Sequence, residues 1–400
     1  MADIKSNELD VSLESLSKSL QNSIKSIIEK AKYKNYNIAI KHFDTQGNNV
    51  FGDPYEIDIT GETAEGKKDV NIFVKQQIPQ NNFKLLSIKN LYSNEMFIYK
   101  DLSKIFASLQ DEVNVPREDR YKIPKVYEES DDNAIILENL SKKGFRTYEK
   151  LEVVSIKYAQ LAVQEMAKFH ALNFAVEHKM PDYFNKKMKV LKCDIVFDDD
   201  WKGLMRNICA HVASLYDNDV KNRIEKFYST LIEKLPKYCN DQTTVRCTLI
   251  HGDYKKNNLL VRTQDGEVVE IVPIDYQLIH YGCPLFDFFL FIFSSTDRKF
   301  RKKHLNDLKE FYFETLSRFL MYFDMDVETV YPKKKFEKDY AERLDFGLMK
   351  MLFFSFVIFA PDSGIELGKG PLSELPICPD KKYDDLYRDL IDDFIEWGYL

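Results

Sequence analysis

The segment His251-Gly252-Asp253-Tyr254-Lys255-Lys256-Asn257-Asn258, followed by Ile274-Asp275-Tyr276-Gln277, constrains this 400-residue chain more than any other. An Asp, an Asn five residues on and a second Asp closing the next apolar run form the inventory that phosphoryl transfer from ATP requires. One carboxylate orients a hydroxyl; an amide and a second carboxylate hold Mg²⁺. The runs Leu259–Thr263 and Val268–Ile274 read as strands joined by Asp265-Gly266, a good hairpin turn. With that turn, Gln264 faces Glu267 and Asn258 falls opposite Pro273. Asp275 then lies two residues beyond, roughly 7 Å along the strand. Asp253, Asn258 and Asp275 converge at one end of the hairpin, a donor set that suits a hard cation. The plain alternative is a turn-rich loop with solvated Asp and Asn. Agreement of spacing and register favours the site.

The rest of the chain divides in two. Residues 12–31 place Leu13, Leu16, Leu20, Ile24, Ile27, Ile28 and Ala31 at helical spacing, with Asp10 or Ser12 as the cap. Tyr36–Phe43, Tyr55–Thr60 and Val70–Gln76 read as an antiparallel meander with turns at Gly47, Gly52, Gly61 and Gly66. A helix over 88–109 and a strand over 134–138 follow, and Ser141–Gly144 reads as a connector. Beyond 150 helices dominate: 152–176, then near 202–216, 219–235, 284–296, 303–323, 335–360 and 381–397. The expected layout is α+β with two lobes: a helical extension over 1–35, a β-rich lobe over 36–140 and a mainly helical lobe over 141–400.

Five single residues and one triplet carry further arguments. Lys75 ends a strand. Glu95 sits in the helical row Leu91, Glu95, Ile98, Leu102, the apolar face, where a carboxylate needs a partner. A Lys75–Glu95 ion pair supplies one; a Glu at the edge of the stripe is the alternative. Asp287, alone in Pro284-Leu285-Phe286-Asp287-Phe288-Phe289-Leu290-Phe291, must be hydrogen bonded, and is expected to brace the catalytic loop through backbone N–H groups. His251 reads as a loop anchor or as a general base; Asp253 already fills the base position, which favours the anchor. His170 shares a helical face with Ala159, Val163 and Met166 and reads as a satisfied core residue. Asp345-Phe346-Gly347 spells a Mg²⁺-binding triplet, but it lies in a helical pattern and follows no strand, so it reads as coincidence.

Net charge of −7 argues against a nucleic-acid surface. Six Cys without a C-x-x-C and seven dispersed His suggest no zinc site. No apolar signal core opens the chain. The longest apolar runs, Pro284–Phe293 and Met351–Pro361, are about half a membrane span. The sequon Asn139-Leu140-Ser141 is therefore expected to be idle, and the protein cytoplasmic.

With these segments in view, the chain resembles the insect ecdysteroid kinase-like (CHK-kinase-like) family, related to choline kinases and aminoglycoside phosphotransferases. The resemblance runs from about residue 36 to the C-terminus. It is carried by the Lys75 strand, Glu95–Tyr99, Ile136–Leu140, Lys143–Arg146, Ala167–Ala171, His251–Asn258 and Ile274–Gly282. It implies a protein-kinase-like fold and ATP–Mg²⁺-dependent phosphorylation of a hydroxyl on a small molecule. It assigns Asp253 as catalytic base, and Asn258 and Asp275 as Mg²⁺ ligands. Lys75 would bind phosphate and pair with Glu95. Leu137–Leu140 would be the hinge, with Glu138 and Leu140 offering backbone groups to adenine. Two departures stand out. The family's glycine turn over the phosphates appears here as Gly52-Asp53-Pro54-Tyr55, without its Asn and Ser and with one N–H donor removed by Pro54. Where the family has Trp, Lys255 stands two residues after Asp253, placed to stabilise charge on the transferred group.

The implied acceptor is an apolar alcohol, an ecdysteroid or a xenobiotic. A choline-type acceptor is the weaker option, since aromatic cages for quaternary ammonium groups favour Trp and only Trp201 and Trp397 exist. A protein kinase is disfavoured because no Ala-Pro-Glu segment follows Asp275. A kinase-like protein that binds ligand without turnover is the non-enzymatic reading.

Overall fold

Five antiparallel strands in sequential order form one sheet: β1 (Asn7–Asp10), β2 (Asn35–Asp44), β3 (Gly52–Thr63), β4 (Gly66–Gln77) and β5 (Ala134–Glu138). The structure is a computed structural model and describes residues 7–44, 52–78, 84–148, 153–363, 370–375, 377 and 381–400. Strand β1 was not expected. Asp10, proposed as a helix cap, is its last residue. Ser12 precedes a short 3₁₀ turn, and the helix α1 (Lys18–Ala31) is capped instead by Ser17, whose hydroxyl accepts from the Leu20 N–H.

Helix α1 covers one face of the sheet. Its Leu20, Ile24, Ile27 and Ile28 pack on Ile40, Ile57, Ile59, Ile72, Val74 and Ile136. Each such fully buried side chain contributes about 1.5–3 kcal/mol. Because side chains alternate along a strand, burial of Ile72 and Val74 on this face sends Lys75 to the other.

Gly61 and Gly52 are not turn residues. Gly61 lies within β3, where a Cβ would stand 2.1 Å from the Asn35 carbonyl oxygen. Gly47 lies outside the described residues. Gly66, with φ of +114°, does turn the β3–β4 connection.

The helix between β4 and β5 runs from Ile88 to Glu112 as α2 (Ile88–Met96), a wider π-type stretch (Phe97–Leu102) and α3 (Ser103–Glu112). Its buried residues do not join the sheet core. Tyr92, Ile98, Tyr99, Leu102 and Phe106 belong to the large core of the helical lobe, where Tyr99 meets Tyr276 at 5.7 Å and Phe106 meets Phe169 at 6.1 Å between ring centres.

The helical lobe is built on α4 (Ile156–Lys179), α5 (Asp199–Ser214), α6 (Asn218–Asn240), α7 (Leu285–Ser295), α8 (Arg298–Met321), α9 (Lys333–Arg343), α10 (Asp345–Ser363) and α11 (Lys381–Glu396). The stretch expected as one helix over 335–360 breaks at Leu344 into α9 and α10. Asp345 opens α10, where its carboxylate accepts from Lys234 Nζ at 2.9 Å and Tyr238 OH at 3.1 Å. Helix α7 is apolar on nearly every side and is buried accordingly.

Short strands flank residues 251–258 and 274–277. β7 (Thr248–Ile250) pairs with β10 (His280–Gly282), and β8 (Leu259–Gln264) pairs with β9 (Glu267–Pro273). The expected connector Ser141–Gly144 is a 3₁₀ turn leading into β6 (Phe145–Thr147), which adds to β8. An antiparallel β-lobe above a mainly helical lobe is the protein-kinase-like, α+β layout.

Candidate active site

The hairpin sets the geometry. Gln264 faces Glu267 as expected, but a bulge between Arg262 and Thr263 leaves Val269 without an opposite residue. Every later partner is displaced by one. Leu259 faces Pro273, and the Ile274 N–H donates to the Asn258 carbonyl at 2.9 Å. The expected pairing of Asn258 with Pro273 is thus corrected: Asn258 stands opposite Ile274, and Asp275 is the next residue. Asp275 takes a left-handed conformation (φ 66°, ψ 60°), which Asp adopts more readily than most side chains.

Asp253 and Asn258 are locked together. Asn258 Nδ2 donates to the Asp253 carbonyl and to Asp253 Oδ2, each at 2.9 Å. Lys255 Nζ reaches the same Oδ2 at 2.9 Å. The other oxygen, Asp253 Oδ1, is buried and has no hydrogen-bond partner among the described residues. With its amide nitrogen turned to Asp253, Asn258 directs its oxygen the other way.

Asp287 sits behind this loop. Its Oδ2 accepts from the His251 N–H at 2.7 Å and its Oδ1 from the Gly252 N–H at 2.9 Å. His170 Nε2 lies 3.1 Å from the same Oδ2, and His170 Nδ1 is 2.8 Å from Tyr312 OH. Burial alone raises the Asp287 pKa, but hydrogen bonds from His170 and the loop hold it below the usual carboxylate range. His251 uses both ring nitrogens: Nε2 donates to the Ile274 carbonyl at 3.0 Å and Nδ1 accepts from the Asp253 N–H. It therefore ties the loop to the Asp275 segment. Gly252 (φ +77°) is needed at this crossing, because a Cβ there would lie 2.1 Å from the Leu278 carbonyl oxygen.

Across the cleft, Lys75 Nζ lies 3.0 Å from Glu95 Oε2 and 2.6 Å from Asp275 Oδ1. Gln277, part of the Ile274–Gln277 segment but given no role from the sequence, completes the group. Its amide oxygen accepts from Lys75 Nζ at 3.0 Å, and its nitrogen donates to Asp275 Oδ1 at 3.3 Å. Asn94 Nδ2 holds the Gln277 backbone carbonyl at 3.1 Å.

One cation between two carboxylates cannot satisfy both equally. Burial raises the Asp275 pKa, but the charge and hydrogen bond of Lys75 lower it on balance. Burial raises Glu95 further than Lys75 can lower it, to about 7. A folded-state pKa above the unfolded value means that the folded chain holds a proton the unfolded chain has lost. That contribution is full below the unfolded pKa and disappears as pH rises through the folded one. Nucleotide-free protein should therefore lose thermal stability between about pH 5 and pH 8, and Glu95→Gln should flatten the profile. Equal slopes for wild type and variant in thermal melts would sink the assignment.

Gly52 is the first residue of β3, opposite Gln77, and Pro54 is opposite Lys75. The expected turn at Gly52-Asp53-Pro54 is therefore strand. Pro54 is tolerated because β2 pairs with β3 only from Tyr55 onward. A Cβ on Gly52 would stand 2.7 Å from Tyr92 OH and 2.9 Å from Lys75 Cγ, so glycine is required for β3 to pass over the Lys75 side chain.

At the β5 end, the Glu138 N–H donates to Lys125 O and the Asn139 N–H to Asn71 O. The pairing of Asn139 with Asn71 makes Glu138–Ile72 a non-hydrogen-bonded pair, so the Glu138 carbonyl points away from β4. The Glu138 carboxylate accepts from the Lys125 N–H and from Lys143. Leu140 packs with Phe145, Val272 and Leu260, walling an open groove beside the end of β5.

A sheet lobe presenting a Lys–Glu pair above an H-x-D-x-x-x-x-N loop and a following Asp is the architecture of the protein-kinase-like phosphotransferases. The chain belongs to the ecdysteroid kinase-like family, whose model matches residues 46–324. No curated protein matches it significantly. Among solved structures it is similar to choline kinase from Cryptosporidium parvum Iowa II, with 12% identity, 91% of each chain covered and a TM-score of 0.47. It is also similar to a microcompartment-associated aminopropanol kinase, with 12% identity, 94% of this chain and 99% of that one covered and a TM-score of 0.38. A third is an aminoglycoside phosphotransferase from Streptomyces rimosus, solved with ADP and streptomycin. It shares 12% identity, with 66% of this chain and 89% of that one covered and a TM-score of 0.34. No helix among the described residues is long and apolar enough to cross a membrane.

Proposed function

We propose that the protein transfers the γ-phosphate of ATP to a hydroxyl of a small apolar alcohol, an ecdysteroid or a xenobiotic of similar character. The observation that carries this reading is Asp253 Oδ1, a buried carboxylate oxygen without a partner among the described residues, beside a Lys, an Asn and a second Asp. A buried acceptor of this kind needs a donor. An alcohol hydroxyl supplies one and is oriented for attack by the same contact.

In this reading Lys75, held by Glu95, meets the phosphates. The Glu138 carbonyl and the Leu140 N–H meet the adenine edge, and Gly52 lets β3 lie close above. Asn258 Oδ1 and the Asp275 carboxylate offer hard oxygens, a donor set that fits Mg²⁺ bound mostly through phosphate and water. The ion, when bound, neutralises phosphate charge.

Lys255 places an ammonium between Asp253 and the incoming phosphoryl group. Lys255→Met is expected to lower kcat about 100-fold with little change in nucleotide KM. Unchanged turnover would remove Lys255 from the site.

The face of Phe354 beside this site is flanked by two ammonium groups, Lys255 at 5.7 Å and Lys350 at 4.2 Å from the ring centre. That placement works against a quaternary ammonium acceptor, which would compete for the same aromatic face and be repelled. The test is incubation with ATP and Mg²⁺ against a panel of steroids, phenols, alkyl alcohols and choline, with phosphorylated product read by mass and ³¹P resonance. Phosphorylated steroid or phenol supports the reading. Product from choline alone, or nucleotide binding with no product from any alcohol, overturns it.

A further inference from the structure

Two lone charges on apolar helical faces have found partners: Glu95 meets Lys75, and Asp287 meets His170 and two backbone N–H groups. Lys350 is a third. It is the sole charge between Asp345 and Asp362, lies on α10 and is 3% exposed. Its Nζ stands 4.2 Å from the ring centre of Phe354 and 6.0 Å from those of Phe346 and Phe353. Among the described residues it makes no ion pair or hydrogen bond. Ring faces attract a cation but accept its three N–H groups poorly, so a buried ammonium still calls for an anion.

The unpaired ammonium is close to Asp253. Lys255 Nζ lies 2.9 Å from Asp253 Oδ2 and 5.7 Å from the same Phe354 ring centre. Laid end to end, these contacts limit the span from Asp253 Oδ2 to Lys350 Nζ to about 13 Å. Lys350 also borders a small cavity with Gly252 and Gln277, the neighbours of Asp253 and of the Asp275 turn. Asp194 borders that cavity too, but it forms no ion pair with Lys350.

We propose, resting on the O-kinase reading for the hydroxyl end alone, that Lys350 receives an acidic group of the acceptor. The preferred substrates are then hydroxy acids: an apolar body with the reacting hydroxyl at one end and an anion at the other.

Charge bookkeeping agrees with the geometry. Lys255 is already matched by Asp253, which leaves Lys350 as the uncompensated charge. A monoanion balances it. Because Lys350 is so deeply buried, the group that reaches it must be small and carried on a narrow apolar stem, for which the Phe354 ring is a suitable wall. A neutral alcohol of the same shape would close over Lys350 and leave it unpaired. A site that buries a polar group discriminates strongly against the analogue lacking its partner.

The test compares hydroxy acids with their methyl esters, which keep hydroxyl and body and lose the charge. An extended stem advances about 1.2 Å per bond, so ω-hydroxy acids of roughly six to ten carbons and para-hydroxyphenylpropanoate suit the span. With ATP and Mg²⁺, the acids should exceed their esters at least about tenfold in kcat/KM, through KM. With ADP and Mg²⁺, the acids should raise the melting temperature of the wild-type protein more than the esters do. Lys350→Met, which preserves length and apolar packing, should bring both differences to nothing. It should also raise the melting temperature of the ligand-free protein by removing an unpaired buried charge.

Acid-selective stabilisation that depends on Lys350, with no phosphorylated product, would uphold the anion site and overturn the kinase reading. Equal turnover of acids and esters would uphold the kinase and overturn the anion site. Equal stabilisation of the wild-type protein by acids and esters, a comparison that needs no variant to fold, would also overturn the anion site. An acid preference that survives Lys350→Met would do the same.

Discussion

Asp253→Asn should reduce phosphoryl transfer by roughly a thousandfold while leaving nucleotide binding near the wild-type level. The expectation rests on which oxygen is occupied. Lys255 Nζ and Asn258 Nδ2 both donate to Oδ2. In the variant the amide oxygen keeps those two donors, so the amide nitrogen takes the Oδ1 position. A donor then stands where the acceptor hydroxyl must itself donate. The fold is little disturbed, because the two hydrogen bonds that lock the loop survive. Turnover of any acceptor, followed with and without the substitution, tests the assignment against nucleotide-dependent thermal stabilisation. Full-rate product from Asp253→Asn would overturn the catalytic assignment even if binding were unchanged.

Asp287→Ala is expected to be the most destabilising single change in the protein, at about 3–5 kcal/mol. Three donors converge on this 1%-exposed carboxylate: two consecutive backbone N–H groups and His170. Removing it strands all three in the core, where each unsatisfied donor costs about 1–3 kcal/mol. Asp287→Asn keeps an acceptor for one donor and turns an N–H₂ toward another, so it should fall between wild type and Ala. Denaturant titration gives the comparison. A loss under about 1 kcal/mol for Ala would mean that the loop is held by other contacts. Because those N–H groups belong to His251 and Gly252, residual folded variant should also turn over poorly.

How far the sequence foretold this site depends on what each residue answers to. Glu95 was legible because a carboxylate in an apolar helical row demands a cation, and Lys75 ended a nearby strand. Asp287 was legible for the same reason within α7. The Lys75–Asp275 contact was not, because their meeting depends on how two lobes dock, which no local pattern encodes. Gln277 was missed with it. The bulge at Val269 escaped because one extra residue leaves Leu259–Gln264 and Glu267–Pro273 reading as ordinary strands. Its trace is that Val268 and Ile271, three apart, are both buried, where strict alternation asks for two or four. β1 and β6 are too short, and Asn7–Asp10 too polar, to announce themselves against flanking loops. Gly52 and Gly61 misled because glycine marks turns most often, whereas here it marks places where another chain segment crosses too closely for a Cβ.

The short strand after the hinge also bears on how the chain is made. β6 pairs with β8, Phe145 opposite Arg262, with all of α4, α5 and α6 emerging between them during synthesis. The first sheet and α1 can assemble from residues that leave the ribosome early, since every strand partner among β1 to β5 is already present. The groove beside β5 cannot, because its Val272 and Leu260 side arrives much later. A nascent chain stalled before the β8–β9 hairpin therefore displays an unpaired β6 edge and a half-built groove, the kind of surface that chaperones hold. A ligand held in that groove therefore cannot serve as a template for folding and can only stabilise the finished chain.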